Sequence, residues 1–186
     1  MPRPYAAAVN DRLTRITTGR GDDGFTQLAD GRRVSKTDAR VVALGELDEL
    51  NCQLGVLLAH RLPEALREAL LAVQQDLFDL GAAVAGGRTG LREGRSEALA
   101  AATAELAETL GPLREFVLPG GGAAAAACHL ARAVCRRAER AVVALGEAAP
   151  AAGRVYLNRL SDWLFQCARW LAAEQPQPWR GPDRAP

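Results

Sequence analysis

The residues best suited to chemistry lie in one stretch in the second half of the chain. From about Ala123 to Leu145, apolar residues recur at the three- and four-residue spacing of a helix. Arg132, Arg136 and Glu139 fall within a narrow arc on the opposite side, and His129 and Arg140 border that arc. Guanidinium groups one turn apart suit a polyanion, because each offers a rigid fork of donors. Glu139 could pair with them, hold a ribose hydroxyl or orient a metal ion. A solvated face crossed by ion pairs would give the same pattern.

The last helical stretch, about 151–173, repeats this arrangement. Asn158, Asp162 and Arg169 share one side of it, and Phe165 lies among them. Asp162 could hold an arginine of the preceding helix in place. A plain solvated surface is the alternative, although an aromatic ring within a polar arc indicates contact with something.

The first helical stretch, about 37–60, departs from the amphipathic pattern. Asp48 and Asn51 lie inside its apolar arc. Buried polar groups have to be hydrogen-bonded. These two residues therefore either fix the register of the packed helices or face a ligand.

Residues 14–35 are rich in glycine, threonine and charge, which indicates an ordered or ligand-ordered loop. Gly19, Gly21 and Gly24 formally match G-x-G-x-x-G, but that motif indicates a dinucleotide site only within a strand–turn–helix unit, which the sequence does not show. The chain has no Walker A motif. Backbone amides and hydroxyls of the loop could still wrap phosphates, and Lys36 adds a positive charge at its end.

Five helical stretches account for most of the chain, and no alternating strand pattern is convincing. The helices are predicted at about 37–60, 63–85, 96–110, 123–145 and 151–173. Residues 1–13 suggest a flexible lead-in, and the proline-rich residues 174–186 suggest a disordered tail. A chain of 186 residues suits one domain. The sequence therefore predicts an all-α, single-domain five-helix bundle with an N-terminal loop.

Composition and charge argue against several classes of protein. A net charge of +1 provides no global field for nucleic acid. The four cysteines form no C-x-x-C pair, so we expect reduced thiols packed as small apolar residues. No apolar run is long enough for a signal peptide or a membrane span. We therefore expect a cytoplasmic protein that binds neither nucleic acid nor membrane.

Together, these features resemble the PduO-type ATP:cob(I)alamin adenosyltransferases. Four blocks match in the family's order: Thr18–Thr26 with Ser35 and Lys36, Gly45–Asn51, Phe116–Gly121, and Ala131–Arg140 with Tyr156–Asp162. Each short block alone is modest evidence, whereas the last is long and unusual. The resemblance implies that residues 14–173 form a cobalamin adenosyltransferase helical bundle whose loop wraps a nucleotide. It also implies a homotrimer with ATP held between neighbouring subunits.

The resemblance assigns a role to each matching residue. It places around ATP the residues Thr18, Gly19, Arg20, Gly21, Thr26, Gln27, Lys36, Arg136, Arg137, Ala138, Glu139, Arg140 and Asn158. It gives a part in catalysis to Arg132, Arg136, Glu139, Asp162 and Phe116. Phe116 would lie under the corrin ring, Asp162 would support the arginine cluster, and Arg132 would pair with Asp38 of a neighbour. No protein metal site is implied, because Mg²⁺ would be held mainly through the ATP phosphates.

The implied reaction transfers the 5′-deoxyadenosyl group of ATP to cob(I)alamin, giving adenosylcobalamin and triphosphate. Cob(I)alamin is itself a strong nucleophile, so the protein would supply positioning and electrostatics. One alternative is a non-catalytic corrinoid carrier that hands adenosylcobalamin to a dependent enzyme. Another is a structural bundle whose polar arcs are merely solvated.

The sequence departs from the family pattern at three places. In Thr18-Gly19-Arg20-Gly21 the basic residue stands one place later than is common. Gln27 replaces a small hydroxyl residue, and Gly122 and Ala123 replace a more usual Ser or Thr and Pro. The contact made by Arg20 is the feature most affected.

Overall fold

Helices make up most of the structure, as the periodicity predicts. The structure is a computed structural model that describes residues 19–87, 90–172 and 177–181. The helices are α1 (Ala39–Leu58), α2 (Glu64–Val84), α3 (Arg95–Leu110), α4 (Ala123–Val143) and α5 (Ala151–Leu171). The predicted all-α five-helix bundle is therefore confirmed. No helix of the described residues is long and apolar enough to cross a membrane.

Small side chains on α4 allow its neighbours to approach closely. α4 packs mainly against α5 and α1. Its enclosed face is built from Cys128, Ala131, Cys135, Ala138 and Val142. The thiols of Cys128 and Cys135 donate to the carbonyls of Leu164 and Leu157 on α5, at 3.2 and 3.3 Å. Burial raises the pKa of the Cys128 thiol to about 12, so this cysteine stays protonated. All four cysteines are free thiols; Cys128, Cys135 and Cys167 are buried as predicted, whereas Cys52 is exposed.

A short β-hairpin stands where the sequence predicted only a loop. Strands β1 (Phe25–Gln27) and β2 (Arg33–Ser35) pair in an antiparallel manner. In the turn between them, the Asp30 carboxylate accepts a hydrogen bond from the Arg32 amide at 3.0 Å, and Gly31 has a φ of +86°. The prediction of no strand was wrong here, because three-residue strands are too short to show alternation.

The hairpin is fixed to the end of the bundle by its turn. The amide of Ala29 donates to the carbonyl of Ala85, just after α2, at 2.9 Å. Asp30 pairs with Arg40 in the first turn of α1 at 3.6 Å. The hairpin therefore has a defined position relative to α1 and α2.

The two polar residues in the apolar arc of α1 have different environments. Asn51 is buried, and its Nδ2 donates to the carbonyl of Gln74 on α2 at 3.2 Å. Gln74 Nε2 donates back to the carbonyl of Asn51 at 3.0 Å. This reciprocal pair ties α1 to α2, as the register alternative requires. Asn51 Oδ1 is buried with no hydrogen-bond partner among the described residues, and Asn51 lines a cavity together with Asp48, so the ligand alternative stays a prediction. Asp48 is exposed.

A buried carboxylate joins three helices, and no local sequence pattern indicates it. Asp76 of α2 is fully enclosed, and its Oδ2 accepts from Arg95 Nε at 2.7 Å and from the Tyr156 hydroxyl at 2.9 Å. The hydrogen bond to Asp76 raises the pKa of Arg95, and burial raises the pKa of Tyr156. Asp76 thus ties α2 to the start of α3 and to α5.

Candidate active site

A cavity lined by arginine side chains lies where α4 packs against α5. It has a volume of about 310 Å³ and is lined by Arg136, Glu139, Arg140, Val143 and Asn158. Asn158 Nδ2 donates to Glu139 Oε1 at 3.3 Å, which links the two helices. Arg140 Nη1 donates to the carbonyl of Arg136 at 3.2 Å. No ion pair of Arg136 or Arg140 occurs within the described part of the chain. Two guanidinium groups beside a single carboxylate make a site for a polyanion.

Arg137 follows Arg136 directly but turns to different partners. It pairs with Glu46 and Glu49 on α1. These hydrogen bonds, that to Glu46 first, raise the pKa of Arg137. Consecutive residues of a helix point about 100° apart, so only one of the two arginines can face the α4–α5 cavity. Arg137 therefore joins α1 to α4 and does not line that cavity.

The hairpin and the turn before it line a second cavity, of about 510 Å³. Its lining residues are Arg20, Gly21, Phe25, Thr26, Gln27 and Arg33. Lys36 Nζ lies only 3.0 Å from where a Cβ on Gly21 would stand, so a larger residue there would push the ammonium group away. The guanidinium of Arg33 covers the ring of Phe25 at 4.7 Å and pairs with Asp23.

The structure thus assembles the predicted loop residues around one cavity, beside Gly19, whose φ is +68°. Gln27 Nε2 donates to the carbonyl of Gly31 at 3.0 Å. Thr18, which belongs to the same prediction, lies outside the described residues. The hairpin cavity and the arginine cavity have no lining residue in common.

A third cavity, also of about 510 Å³, lies beside the loop between α3 and α4. Its lining residues are Leu113, Arg114, Glu115, Phe116, Val117, Pro119, His129, Arg132 and Phe165. Phe116 is 78% exposed, so it presents an apolar surface at this cavity. The Arg132 guanidinium lies over the Phe165 ring at 5.9 Å, and its Nε is buried without a hydrogen-bond partner among the described residues.

A segment from the predicted disordered tail pairs with this loop. The amide of Leu118 donates to the carbonyl of Gln177 at 2.8 Å, and the amide of Trp179 donates to the carbonyl of Phe116 at 2.7 Å. The rings of Trp179 and Phe116 meet edge to face with centroids 6.4 Å apart. Paired backbone groups and the contact of two rings thus hold residues 177–181 against this loop. The other residues of the predicted tail, 174–176 and 182–186, lie outside the described residues.

The loop also requires a glycine at one position. Gly121 has a φ of +87°, and a Cβ there would stand 2.4 Å from the Cβ of Ala172, at the end of α5. We expect Gly121→Ala to lower the free energy of unfolding by about 1–3 kcal/mol, because the loop must move away from α5. Urea unfolding would measure this. Gly122→Ala is the matched control. Its φ of +99° is also positive, but no atom of the described residues lies within 4 Å of the added Cβ. Equal effects of the two changes would contradict the predicted steric clash.

Two further predicted residues lie apart from the cavities. Ala138 is fully buried on the enclosed face of α4, so its side chain has no surface to offer to a ligand. Asp162 is exposed, and no hydrogen bond or ion pair of its side chain occurs among the described residues. The supporting role predicted for Asp162 is therefore not seen within one subunit and stays a prediction.

Sequence reasoning missed two aromatic residues that line or flank these cavities: Phe25, which lies beneath Arg33, and Trp179, which contacts Phe116. The ring of His129 meets Phe165 edge to face at 6.2 Å. The Phe165 ring in a polar arc was the one signal that pointed here. His129 is buried, although the helical pattern placed it only at the border of the polar arc.

Comparison with known proteins gives a consistent result over almost the whole chain. The family model described as cobalamin adenosyltransferase matches residues 16–171. A cobalamin adenosyltransferase of Cupriavidus metallidurans is 50% identical over 167 residues, covering 88% of this chain and 91% of its own. A corrinoid adenosyltransferase of Citrobacter freundii is 43% identical, covering 84% and 94%.

Solved structures of related enzymes have a similar fold. A phenylalanine-to-alanine variant of a PduO-type ATP:corrinoid adenosyltransferase from Lactobacillus reuteri, complexed with cobalamin and ATP, has a TM-score of 0.84. It is 31% identical and covers 90% of this chain and 100% of its own. An arginine-to-lysine variant of a PduO-type enzyme from the same organism, complexed with ATP, has a TM-score of 0.83, 32% identity, and 89% and 100% coverage.

Proposed function

Since the chain belongs to the cobalamin adenosyltransferase family, we propose that it transfers the 5′-deoxyadenosyl group of ATP to cob(I)alamin. The products are adenosylcobalamin and triphosphate. The observation that carries this proposal is the cavity of Arg136, Glu139, Arg140 and Asn158, which suits the triphosphate part of ATP. The related structures with bound cobalamin and ATP support both substrates.

The arginine cavity handles the leaving group. As the bond to the ribose C5′ breaks, negative charge grows on the departing triphosphate. Fixed guanidinium groups that already face this position stabilise the charge without reorganising. Arg136 acts directly on the triphosphate, and the Glu139–Asn158 pair orients the ribose or the arginines. No base is needed, because cob(I)alamin is itself the nucleophile.

The hairpin cavity contributes further donors to the ATP phosphates. Gly21 leaves room for Lys36 Nζ, and Arg20, Thr26 and Gln27 offer donors around the same space. We assign Thr18 and Gly19 to the same contact on the family resemblance. Because the hairpin and arginine cavities are separate in one subunit, we propose that they meet across the interface of a homotrimer. Arg132 would then pair with Asp38 of a neighbouring subunit.

The apolar cavity at Phe116 receives the corrin. Its large exposed ring suits the flat, apolar face of the macrocycle. A ring in this place excludes water and the lower axial ligand from cobalt, which eases reduction of Co(II) to Co(I). Arg137 and Ala138 contribute by holding α4 in position, and Asp162 would support the arginines once the subunits assemble.

Magnesium fits the site as an ion bound mainly to ATP. Within the described residues, no three His, Cys, Asp or Glu side chains lie close enough together to hold a metal ion. Mg²⁺ would take its ligands mainly from phosphate oxygens and water, and Glu139 is the carboxylate that lines the arginine cavity. When bound, Mg²⁺ would share the triphosphate charge with Arg136. We further propose that the enzyme works in the cytoplasm and passes adenosylcobalamin to a dependent enzyme.

An anaerobic assay tests the proposed function. Purified protein is mixed with chemically reduced cob(I)alamin and Mg·ATP, and the visible spectrum is followed. We expect the cob(I)alamin band to disappear as adenosylcobalamin forms, with stoichiometric release of triphosphate. ATP binding without conversion would favour the corrinoid carrier, and no binding of either substrate would leave only a structural bundle.

The Phe116 ring gives a second, spectroscopic prediction. We expect Phe116→Ala to weaken corrinoid binding about 10- to 100-fold, the value of one buried aromatic ring. It should also remove the four-coordinate Co(II) signal that the wild-type protein forms with cob(II)alamin and ATP, because water or the lower base reaches cobalt. Electron paramagnetic resonance measures this. Leu118→Ala, in the same loop but outside the cavity lining, is the control. A four-coordinate signal of wild-type strength in Phe116→Ala would rule out the assigned role.

A further inference from the structure

Two polar residues of α4 line the Phe116 cavity, beside Arg114 and Glu115 of the loop. His129 and Arg132 lie one turn apart on this helix, and both contact Phe165 of α5. His129 is only 5% exposed, yet it belongs to the lining of the cavity. Its Nδ1 is enclosed, and neither ring nitrogen has a hydrogen-bond partner among the described residues, so Nε2 is the nitrogen left for a molecule in the cavity. A buried polar side chain without a partner, beside an open cavity, points to a ligand.

The surroundings of His129 determine which hydrogen bond it can make. Burial, together with the nearby charge of Arg132, lowers the pKa of His129, so the imidazole is neutral near pH 7. A neutral ring carries one proton, and an unpaired buried N–H costs more than an unpaired buried acceptor. The proton therefore belongs on Nε2, and Nδ1 keeps its lone pair inside the protein. His129 is then a hydrogen-bond donor to the cavity and has no lone pair to offer to a metal.

We propose that His129 is a corrin-binding residue that donates from Nε2 to the carbonyl oxygen of an amide side chain at the corrin edge. This inference rests on the proposed function and names a contact within it. Acetamide and propionamide groups surround the corrin ring, and their carbonyl oxygens are strong acceptors. Arg132 also offers only donors, so both α4 residues that line the cavity match carbonyl oxygens. The same tautomer keeps an imidazole lone pair away from cobalt.

The test compares two variants of His129 with a matched control. His129→Leu removes the donor, His129→Asn retains an N–H donor, and His60→Leu changes the other histidine of the chain, at the end of α1. Binding of cob(II)alamin and of cob(II)inamide, which lacks the lower base, is titrated spectroscopically in the presence of ATP. Turnover of both is measured after reduction.

The expected result separates corrin binding from the other steps. His129→Leu should raise the Kd and KM for both corrinoids about tenfold, the value of one hydrogen bond, whereas the KM for ATP stays near that of wild type. His129→Asn should recover most of this loss, and His60→Leu should show none.

Three outcomes would overturn the inference: unchanged corrinoid affinity in His129→Leu, an equal rise in the KM for ATP, or a loss confined to cobalamin. The last would place the contact at the lower-base loop instead of the corrin edge. If the wild-type protein formed no adenosylcobalamin, the proposed function would fail, but the binding titrations would still decide the role of His129. Circular dichroism of each variant shows that the fold is retained.

Discussion

Arg136→Ala lowers kcat for adenosylcobalamin formation by about 10²- to 10³-fold, the loss that follows removal of one fixed group from a developing charge. Arg136 lines the cavity at the α4–α5 contact, and its guanidinium group forms no ion pair within the described part of the chain. Its removal leaves Arg140 as the one arginine that lines this cavity in the described part of the chain. Since the charge grows as the bond breaks, kcat should fall more than ATP affinity. Single-turnover assays with pre-reduced cob(I)alamin measure the chemical step directly.

Two further variants sharpen this prediction. Arg136→Lys keeps the charge but loses the planar fork of donors, so its rate should lie between those of wild type and Arg136→Ala. Arg154→Ala removes an exposed arginine of α5 that lies outside the cavity and should leave kcat unchanged. A rise in the KM for ATP with an unaltered kcat would show instead that Arg136 only binds the ground state.

Asp76→Ala lowers the free energy of unfolding by about 3–5 kcal/mol, as expected when one partner of a buried ion pair is removed. Arg95 and the Tyr156 hydroxyl both donate to Asp76 Oδ2, and the change leaves these donors facing an apolar space. The loss is a large part of the 5–15 kcal/mol that stabilises a typical domain. Urea unfolding followed by circular dichroism measures it.

Asp79→Ala is the matched control for this change. Asp79 lies on the same helix, one turn later, and is partly exposed, so its removal should change stability by less than about 0.5 kcal/mol. An Asp76→Ala protein as stable as the Asp79→Ala protein would mean that the buried cluster contributes little to the fold.

The helices could be predicted because their signal is local. Apolar spacing and flanking proline or glycine placed all five. The hairpin could not be predicted, since its strands are only three residues long and its position depends on Ala29 meeting Ala85. The pairing of Leu118 with Gln177 joins segments that are distant in sequence, and no local pattern encodes it.

The residue types of the candidate site could be predicted from the sequence, whereas the directions in which their side chains point could not. Arg136 and Arg137 are adjacent and chemically equal, and only the packing of α1 against α4 determines that Arg137 pairs with Glu46. The helical periodicity predicted that His129 borders the polar arc, whereas in the structure it is buried and contacts Phe165. Asp76 gave no signal, because its partners Arg95 and Tyr156 stand on two other helices.

The close packing of α4 has a consequence for the speed of the reaction. Enclosed alanine and cysteine residues fill the inward face of this helix, including Ala131, Cys135 and Ala138, and leave it little freedom to slide or rotate. Arg132, Arg136 and Glu139 project from the same tightly packed helix. Their dipoles and charges are therefore preorganised: the cost of orienting them is met during folding, before any substrate arrives. Larger side chains on the inward face would displace α4 and so change the electrostatic field at the reacting bond. No residue that contacts the substrate would have been replaced.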